Sequence, residues 1–117
     1  MRPNSESTGS GRRTATPGPF PPDLAERTAE YLRLVAEPTR IRLLAALNCG
    51  EASVQELAEA IGAPHQRTSK HLAVLRTAGM VTRRRQGPEA RYSLVDWTGW
   101  WVVEQVAGAL RPDDDSH

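Results

Sequence analysis

Between Pro22 and Leu110 the apolar residues of the chain mostly return at intervals of three and four, with two short stretches of a different rhythm near residue 85. Leu24, Tyr31, Leu34 and Val35 share one stripe when successive residues are turned by the ~100° of an α-helix, which predicts a first helix from about Pro22 to Glu37. Pro38 ends it, because a proline ring crowds the preceding residue out of the helical region. Proline is also favoured at the first position of a helix, so Pro38 opens a second one. Its buried face is Ile41, Leu44, Ala45 and Leu47, and Gly50 is its stop.

Ser53 and Glu56 have the spacing of a capping box, in which the hydroxyl accepts from the glutamate N–H and the carboxylate accepts from the serine N–H. A third helix is therefore expected to begin at Ser53, carrying Val54, Leu57, Ala58 and Ile61 inward and ending at Gly62. Only Gly62 and Ala63 separate it from Pro64, read here as opening a fourth helix that runs to about Ala78. Two helices joined so tightly form a helix-turn-helix. The inner side of the fourth helix is Thr68, Leu72 and Leu75. Its outer side is Gln66, Lys70, Ala73 and Thr77, flanked by Arg67, Ser69 and Arg76, with no large apolar residue among them.

Met80 to Arg85 and Ala90 to Val95 are strand-like segments around the turn cluster Gln86, Gly87, Pro88 and Glu89, which predicts a hairpin. A fifth helix follows from about Asp96, its expected cap, to Leu110, with Trp97, Trp100, Val103, Ala107 and Leu110 on one stripe. Three tryptophans on one short terminal helix exceed what a small core needs. The fold class is thus mostly α with a small β-hairpin: a winged helix-turn-helix of five helices plus a wing.

Residues 1 to 21 are mostly Ser, Thr, Gly, Pro and Arg, with Phe20 as the one large apolar side chain after Met1, so burial has little to set against the entropy of ordering them. A disordered arm is expected over 1–21, a single domain over 22–111, and a disordered acidic tail over 112–117, where Asp113, Asp114 and Asp115 fall together. About 90 residues remain to fold, a size at which a domain often leans on a partner subunit. The one cysteine, Cys49, has no internal partner, the N-terminal residues lack the apolar run of a signal sequence, and no stretch is apolar enough to span a membrane. A cytoplasmic protein is expected.

The net charge of +1 conceals an asymmetry. From His65 to Arg91 there are seven basic residues against the single acid Glu89, whereas from Pro22 to Glu59 four basic residues face seven acidic ones. On its own a basic block is as often a solvated face as a binding surface. Its order changes the weighing, because the block consists of the outer side of a helix-turn-helix followed by a hairpin bearing Arg83, Arg84, Arg85 and Arg91. Gln suits adenine edges, Lys and Arg suit guanine edges, and arginines on a hairpin suit phosphates or the minor groove.

The segment from Leu34 to Leu94, reading LVAEPTRIRLLAAL and then VQELAEAIGAPHQRTSKHLAVLRTAGMVTRRRQGPEARYSL, resembles the ArsR/SmtB family of winged-helix repressors. The resemblance implies a DNA-facing set of His65, Gln66, Arg67, Ser69, Lys70 and His71, together with wing residues Arg83, Arg84, Arg85 and Arg91. For His71, packing or a phosphate contact is expected ahead of a ligand role. It further implies a homodimer built from the first and last helices, with Leu24, Tyr31, Trp97, Trp100, Trp101, Val103, Ala107 and Leu110 at the interface. The partner is expected to be a palindromic double-stranded DNA operator and the activity repression, with the inducer not specified.

Family members that sense metals use paired thiols at the third helix or carboxylates and histidines on the last. Here Ala52 to Leu57 contains no cysteine, and Asp96 to Leu110 has no histidine, so no metal ligands and no cofactor are expected. Cys49 is expected to be a partly buried, unremarkable thiol, a redox role lacking any resolving partner. Two further readings remain at this stage: a protein-interaction module using the tryptophan helix, and a ligand pocket lined by Trp97, Trp100 and Trp101. An enzyme is the weakest reading and is not expected, for lack of a phosphate-binding glycine loop, an activated nucleophile or a carboxylate pair in an apolar setting.

Overall fold

The computed structural model describes residues 18–112. The expectations for residues 1–17 and 113–117 therefore lie outside the described residues. The elements run α1 (Pro22–Val35), α2 (Pro38–Asn48), β1 (Ala52–Ser53), α3 (Val54–Ile61), α4 (His65–Thr77), β2 (Val81–Gln86), β3 (Glu89–Leu94) and α5 (Thr98–Leu110). None of these helices is long and apolar enough to cross a membrane.

Helix α1 ends at Val35, two residues short of the expected Glu37. Pro38 holds Glu37 in extended backbone (φ −138°, ψ 125°), and from there the Glu37 carboxylate accepts from the Arg40 N–H at 2.9 Å, capping α2. The buried face of α2 is Leu43, Leu44 and Leu47, whereas Ile41 and Ala45, expected inside, are half-buried. Helix α2 packs against α3, α4, α5 and β3 at once, so no single stripe describes its burial.

The capping box forms as expected, with Glu56 N–H donating to Ser53 Oγ at 3.1 Å and Ser53 N–H to Glu56 Oε1 at 3.0 Å. Gly62 ends α3 in the left-handed region at φ 65°, where glycine lacks the steric cost of a Cβ. Pro64 precedes α4 as its N-cap rather than standing inside it, with extended ψ of 150°. Thr68, Leu72 and Leu75 are buried, and the Thr68 hydroxyl is satisfied by the Pro64 carbonyl at 3.0 Å.

The sheet has three antiparallel strands in the order β1-β3-β2. Strand β1, absent from the sequence reading, is two residues long and pairs Ala52 with Tyr92 and Ser53 with Arg91. In the hairpin Arg83, Arg84, Arg85 and Gln86 face Tyr92, Arg91, Ala90 and Glu89, leaving the two-residue loop Gly87-Pro88. Gly87 has φ 63°, the sign that the first loop residue of a type II′ turn requires.

Helix α5 starts at Thr98, not Asp96. Asp96 sits one residue before the N-cap. Its Oδ1 accepts from the Thr98 N–H at 3.0 Å and its Oδ2 from the Tyr31 hydroxyl at 3.0 Å, tying the entry of α5 to α1. Gly99 is buried at that crossing, and a Cβ there would stand 2.5 Å from Met80 Cε, so a larger residue would have to displace the end of the Met80 side chain. Trp100 and Val103 pack on the core formed by Val35, the α2 leucines, Leu57, Ile61, Leu72, Leu75, Met80, Val81, Tyr92 and Leu94. Trp97, Trp101 and Leu110 are exposed.

Candidate nucleic-acid interface

The inward pull of Thr68, Leu72 and Leu75 fixes how α4 is rotated, and everything about its outer side follows. His65, Gln66, Arg67, Lys70, Ala73 and Thr77 are exposed, and Ser69 is half-buried. Gln66, Arg67 and Lys70 line one open groove of about 780 Å³ together with Pro64, His71, Ala73, Val74 and a residue from another helix, Arg40. Val74 is 39% exposed, so the outer side carries one apolar residue that the sequence reading assigned to neither face.

His71 is half-buried at the edge of this groove and does not reach out of it. Its Nδ1 accepts from Arg40 Nη1 at 3.1 Å, since a guanidinium has only donors to offer, and stands 3.8 Å from Glu37 Oε1. Arg40 also donates through Nε to the Leu34 carbonyl at 2.6 Å. The Glu37 carboxyl is held below its ordinary range, first by the Arg40 backbone N–H and also by the positive charge of the Arg40 guanidinium. Arg40 was not among the candidate residues. It lies 26 positions before Gln66, and no periodicity on α4 points to it.

In the wing, side chains alternate across the strand, so Arg83 and Arg85 share one face of β2 and Arg84 takes the other, opposite Arg91. The two faces differ in partners. Arg84 Nη2 donates to both carboxylate oxygens of Glu51, at 2.7 and 2.9 Å, and to Gln86 Oε1 at 3.1 Å. Arg91 reaches Glu56 Oε1 at 3.2 Å, Glu51 Oε1 at 3.6 Å, Glu89 Oε1 at 3.7 Å and the Glu51 carbonyl at 3.2 Å. The Glu56 carboxyl is held below its ordinary range, first by the Ser53 N–H of the capping box and then by Arg91. Arg83 and Arg85 form no ion pair among the described residues, and both are exposed. A cleft of about 200 Å³ between wing and helices is lined by Ser53, Gln55, His65 and Glu89, which sets His65 on the wing side of α4.

Away from this surface, α5 carries its apolar stripe past the end of the core. Val106 and Leu110 are 52% and 78% exposed, and with Leu32, Val35, Ile41 and Val103 they line a groove of about 330 Å³ among α1, α2 and α5. Of the expected interface residues, Leu24, Trp97, Trp101 and Leu110 are exposed. Tyr31, Trp100, Val103 and Ala107 are half-buried within the chain. Cys49 is exposed rather than partly buried, its Sγ 3.7 Å from the Ala45 carbonyl. Among the described residues no three His, Cys, Asp or Glu side chains are grouped so as to hold a metal ion.

Residues 37–83, which span α2 through the start of β2, match the family described as bacterial regulatory protein, arsR family. The HTH-type transcriptional repressor SmtB of Mycobacterium tuberculosis is 38% identical over 80 residues, which cover 68% of this chain and 59% of that protein. The chain thus spans less than two thirds of that relative's length. A transcriptional repressor SmtB homolog of Synechocystis is 35% identical over 92 residues, covering 79% of this chain and 70% of its own. The crystal structure of the transcriptional repressor BigR from Xylella fastidiosa superposes with a TM-score of 0.71 at 30% identity, covering 78% of this chain and 93% of that one. A helix-turn-helix framed by an arginine wing, matched at these levels of identity and coverage, identifies the chain as a member of the arsR family of bacterial regulatory proteins.

Proposed function

We propose that the protein is a transcriptional repressor that binds double-stranded DNA as a homodimer, laying α4 in the major groove and the wing along the adjacent backbone. What carries this reading most is the outer side of α4, where Gln66, Arg67 and Lys70 stand exposed on a single rigid helix. Gln66 and Lys70 have the donor and acceptor groups that base edges require, and Ala73 and Val74 offer apolar contact to thymine methyls. The names of the relatives, which are transcriptional repressors, support the same activity.

Within the wing, Arg83 and Arg85 make the phosphate contacts. Arg84 and Arg91 are engaged by Glu51, Glu56 and Glu89 and hold the hairpin against α3, so their approach to DNA first requires those pairs to open. The dimer forms through α1 and α5, where a second copy covers Val106 and Leu110. It presents two α4 helices roughly 34 Å apart to the half-sites of an imperfect palindrome. Repression follows from occlusion of the promoter, and the protein acts in the cytoplasm where its DNA is.

The test is a salt series of affinity for a duplex carrying the region upstream of its own gene, with random duplex as control. Tight, salt-sensitive preference for the upstream duplex is expected. Absence of binding to either duplex even at low salt contradicts the reading.

A further inference from the structure

Arg40 is the one cation at the α4 groove that comes from outside the helix-turn-helix. Two edges of its guanidinium are fixed, Nε by the Leu34 carbonyl at 2.6 Å and Nη1 by His71 Nδ1 at 3.1 Å, while Nη2 has no partner among the described residues. The groove it enters is lined by Arg67 and Lys70, and the Glu37 carboxylate, at the cap of the same helix, already accepts from the Arg40 backbone N–H. Three cations from two helices thus converge on a concave surface with one engaged acid beside them, which suits an anion.

The place of Arg40 on α4's flank says which anion. At ~100° per residue His65 and Arg67 lie on nearly opposite flanks of α4. His65 lines the cleft shared with the wing, and Arg67 lines the groove shared with Arg40. An α-helix of ~10–12 Å diameter fills a major groove ~12 Å wide, so a cation on a neighbouring helix beside α4 meets the strand backbone and not the base edges. The wing addresses one strand, and Arg40 stands on the other side.

Resting on the DNA-binding reading above, we propose that Arg40 is a phosphate-contacting residue of the interface. It is preset by His71 and the Leu34 carbonyl to receive, with Arg67 and Lys70, a backbone phosphodiester on the flank of α4 opposite the wing. A rigidly held guanidinium loses little side-chain entropy on binding and offers a phosphate directional donors. His71 then serves as a positioning residue, aiming Arg40 instead of touching DNA itself.

The experiment is fluorescence-anisotropy binding of a random duplex and of the upstream duplex across a salt series, comparing the full-length protein with Arg40→Gln, Arg40→Lys and Glu37→Gln. Arg40→Gln should make the slope of log K against log salt shallower by about 0.9 and weaken binding to both duplexes about eightfold at ~0.1 M salt, as loss of one phosphate contact requires. Arg40→Lys, which keeps the charge, should restore the slope. Glu37→Gln, which keeps the cap but removes the neighbouring negative charge, should tighten both complexes by about twofold or more. Inorganic phosphate at millimolar concentration, added at fixed ionic strength, should leave the wild-type affinity unchanged if the seat belongs to a duplex backbone. Competition by it assigns the seat to free phosphate and overturns the proposal. An Arg40→Gln protein with weakened binding but an unchanged slope also overturns it, leaving Arg40 a purely structural residue. Should Arg40→Gln fail to fold, an unchanged affinity in Glu37→Gln overturns it independently. A wild-type protein that binds neither duplex at any salt overturns the DNA-binding reading itself, an outcome distinct from the others.

Discussion

Arg84 and Arg91 illustrate how far a side chain's partners, rather than its charge, decide its role. On a sequence they are two of four equivalent wing arginines. In the fold Glu51, 33 positions before Arg84, closes on both of them, and surface pairs of this kind are worth only about 0–1 kcal/mol each. Their effect is to occupy the guanidinium groups. Arg83→Ala and Arg85→Ala should therefore each lower the salt slope of DNA binding by about 0.9, while Arg84→Ala leaves it unchanged, in the same anisotropy assay. Tyr31 and Asp96 make a second such pair. Burial first, then the hydrogen bond to Asp96 and its charge, push the Tyr31 hydroxyl up to about 12 from 10.0. Because the folded-state value is raised, this contribution to stability is complete below pH 10 and is lost as the pH climbs toward 12. Asp96 has the opposite sign. Burial opposes its charge, but the Thr98 N–H and hydroxyl and the Tyr31 phenol more than reverse this, so its contribution fades in acid, as pH falls through a value below 3.8. Tyr31→Phe should cost about 1 kcal/mol in denaturant unfolding at pH 7 and flatten the alkaline limb of the stability profile. None of these pairings has a sequence signal, since each joins residues that only tertiary structure brings together.

At the scale of elements the chain was more readable, because caps and breakers act locally. The capping box, the left-handed Gly62 and the inward Thr68, Leu72 and Leu75 were all visible as spacings, and together they orient α4. Ser53→Ala should cost about 1 kcal/mol by removing the acceptor for the Glu56 N–H, measured by thermal or denaturant unfolding. What escaped was set by surroundings. Strand β1 is two residues long, too short for any alternation to register, and exists because β3 offers it an edge. Leu43 fell outside the expected stripe of α2 because that helix is enclosed on several sides. Leu43→Ala should accordingly cost about 3 kcal/mol, as for a fully buried leucine. The start of α5 slipped by two residues because Asp96 is shared between capping Thr98 and receiving Tyr31.

For the whole molecule, the sequence resemblance pointed correctly to a winged helix-turn-helix, while how the surface is divided between partners needed the fold. The tryptophans of the expected interface divide, Trp97 and Trp101 standing exposed while the half-buried Trp100 packs on the core, and at the far end of α5 Val106 and Leu110 are exposed as well. The paired substitution Val106→Glu and Leu110→Glu should yield a folded monomer in sedimentation velocity, and an intact dimer would contradict the proposed α1/α5 interface. Arg40 belongs to this scale too, since it joins the α4 groove only once α2 packs against α4. The central claim, that the outer side of α4 with Arg83 and Arg85 of the wing is the surface that meets DNA, is tested most directly by titrating a short duplex into isotope-labelled protein and following backbone amide resonances. The account predicts shifts concentrated in residues 65–77 and 83–87 and around Arg40, with α5 silent. Shifts confined to residues 98–110, with α4 unmoved, would contradict it.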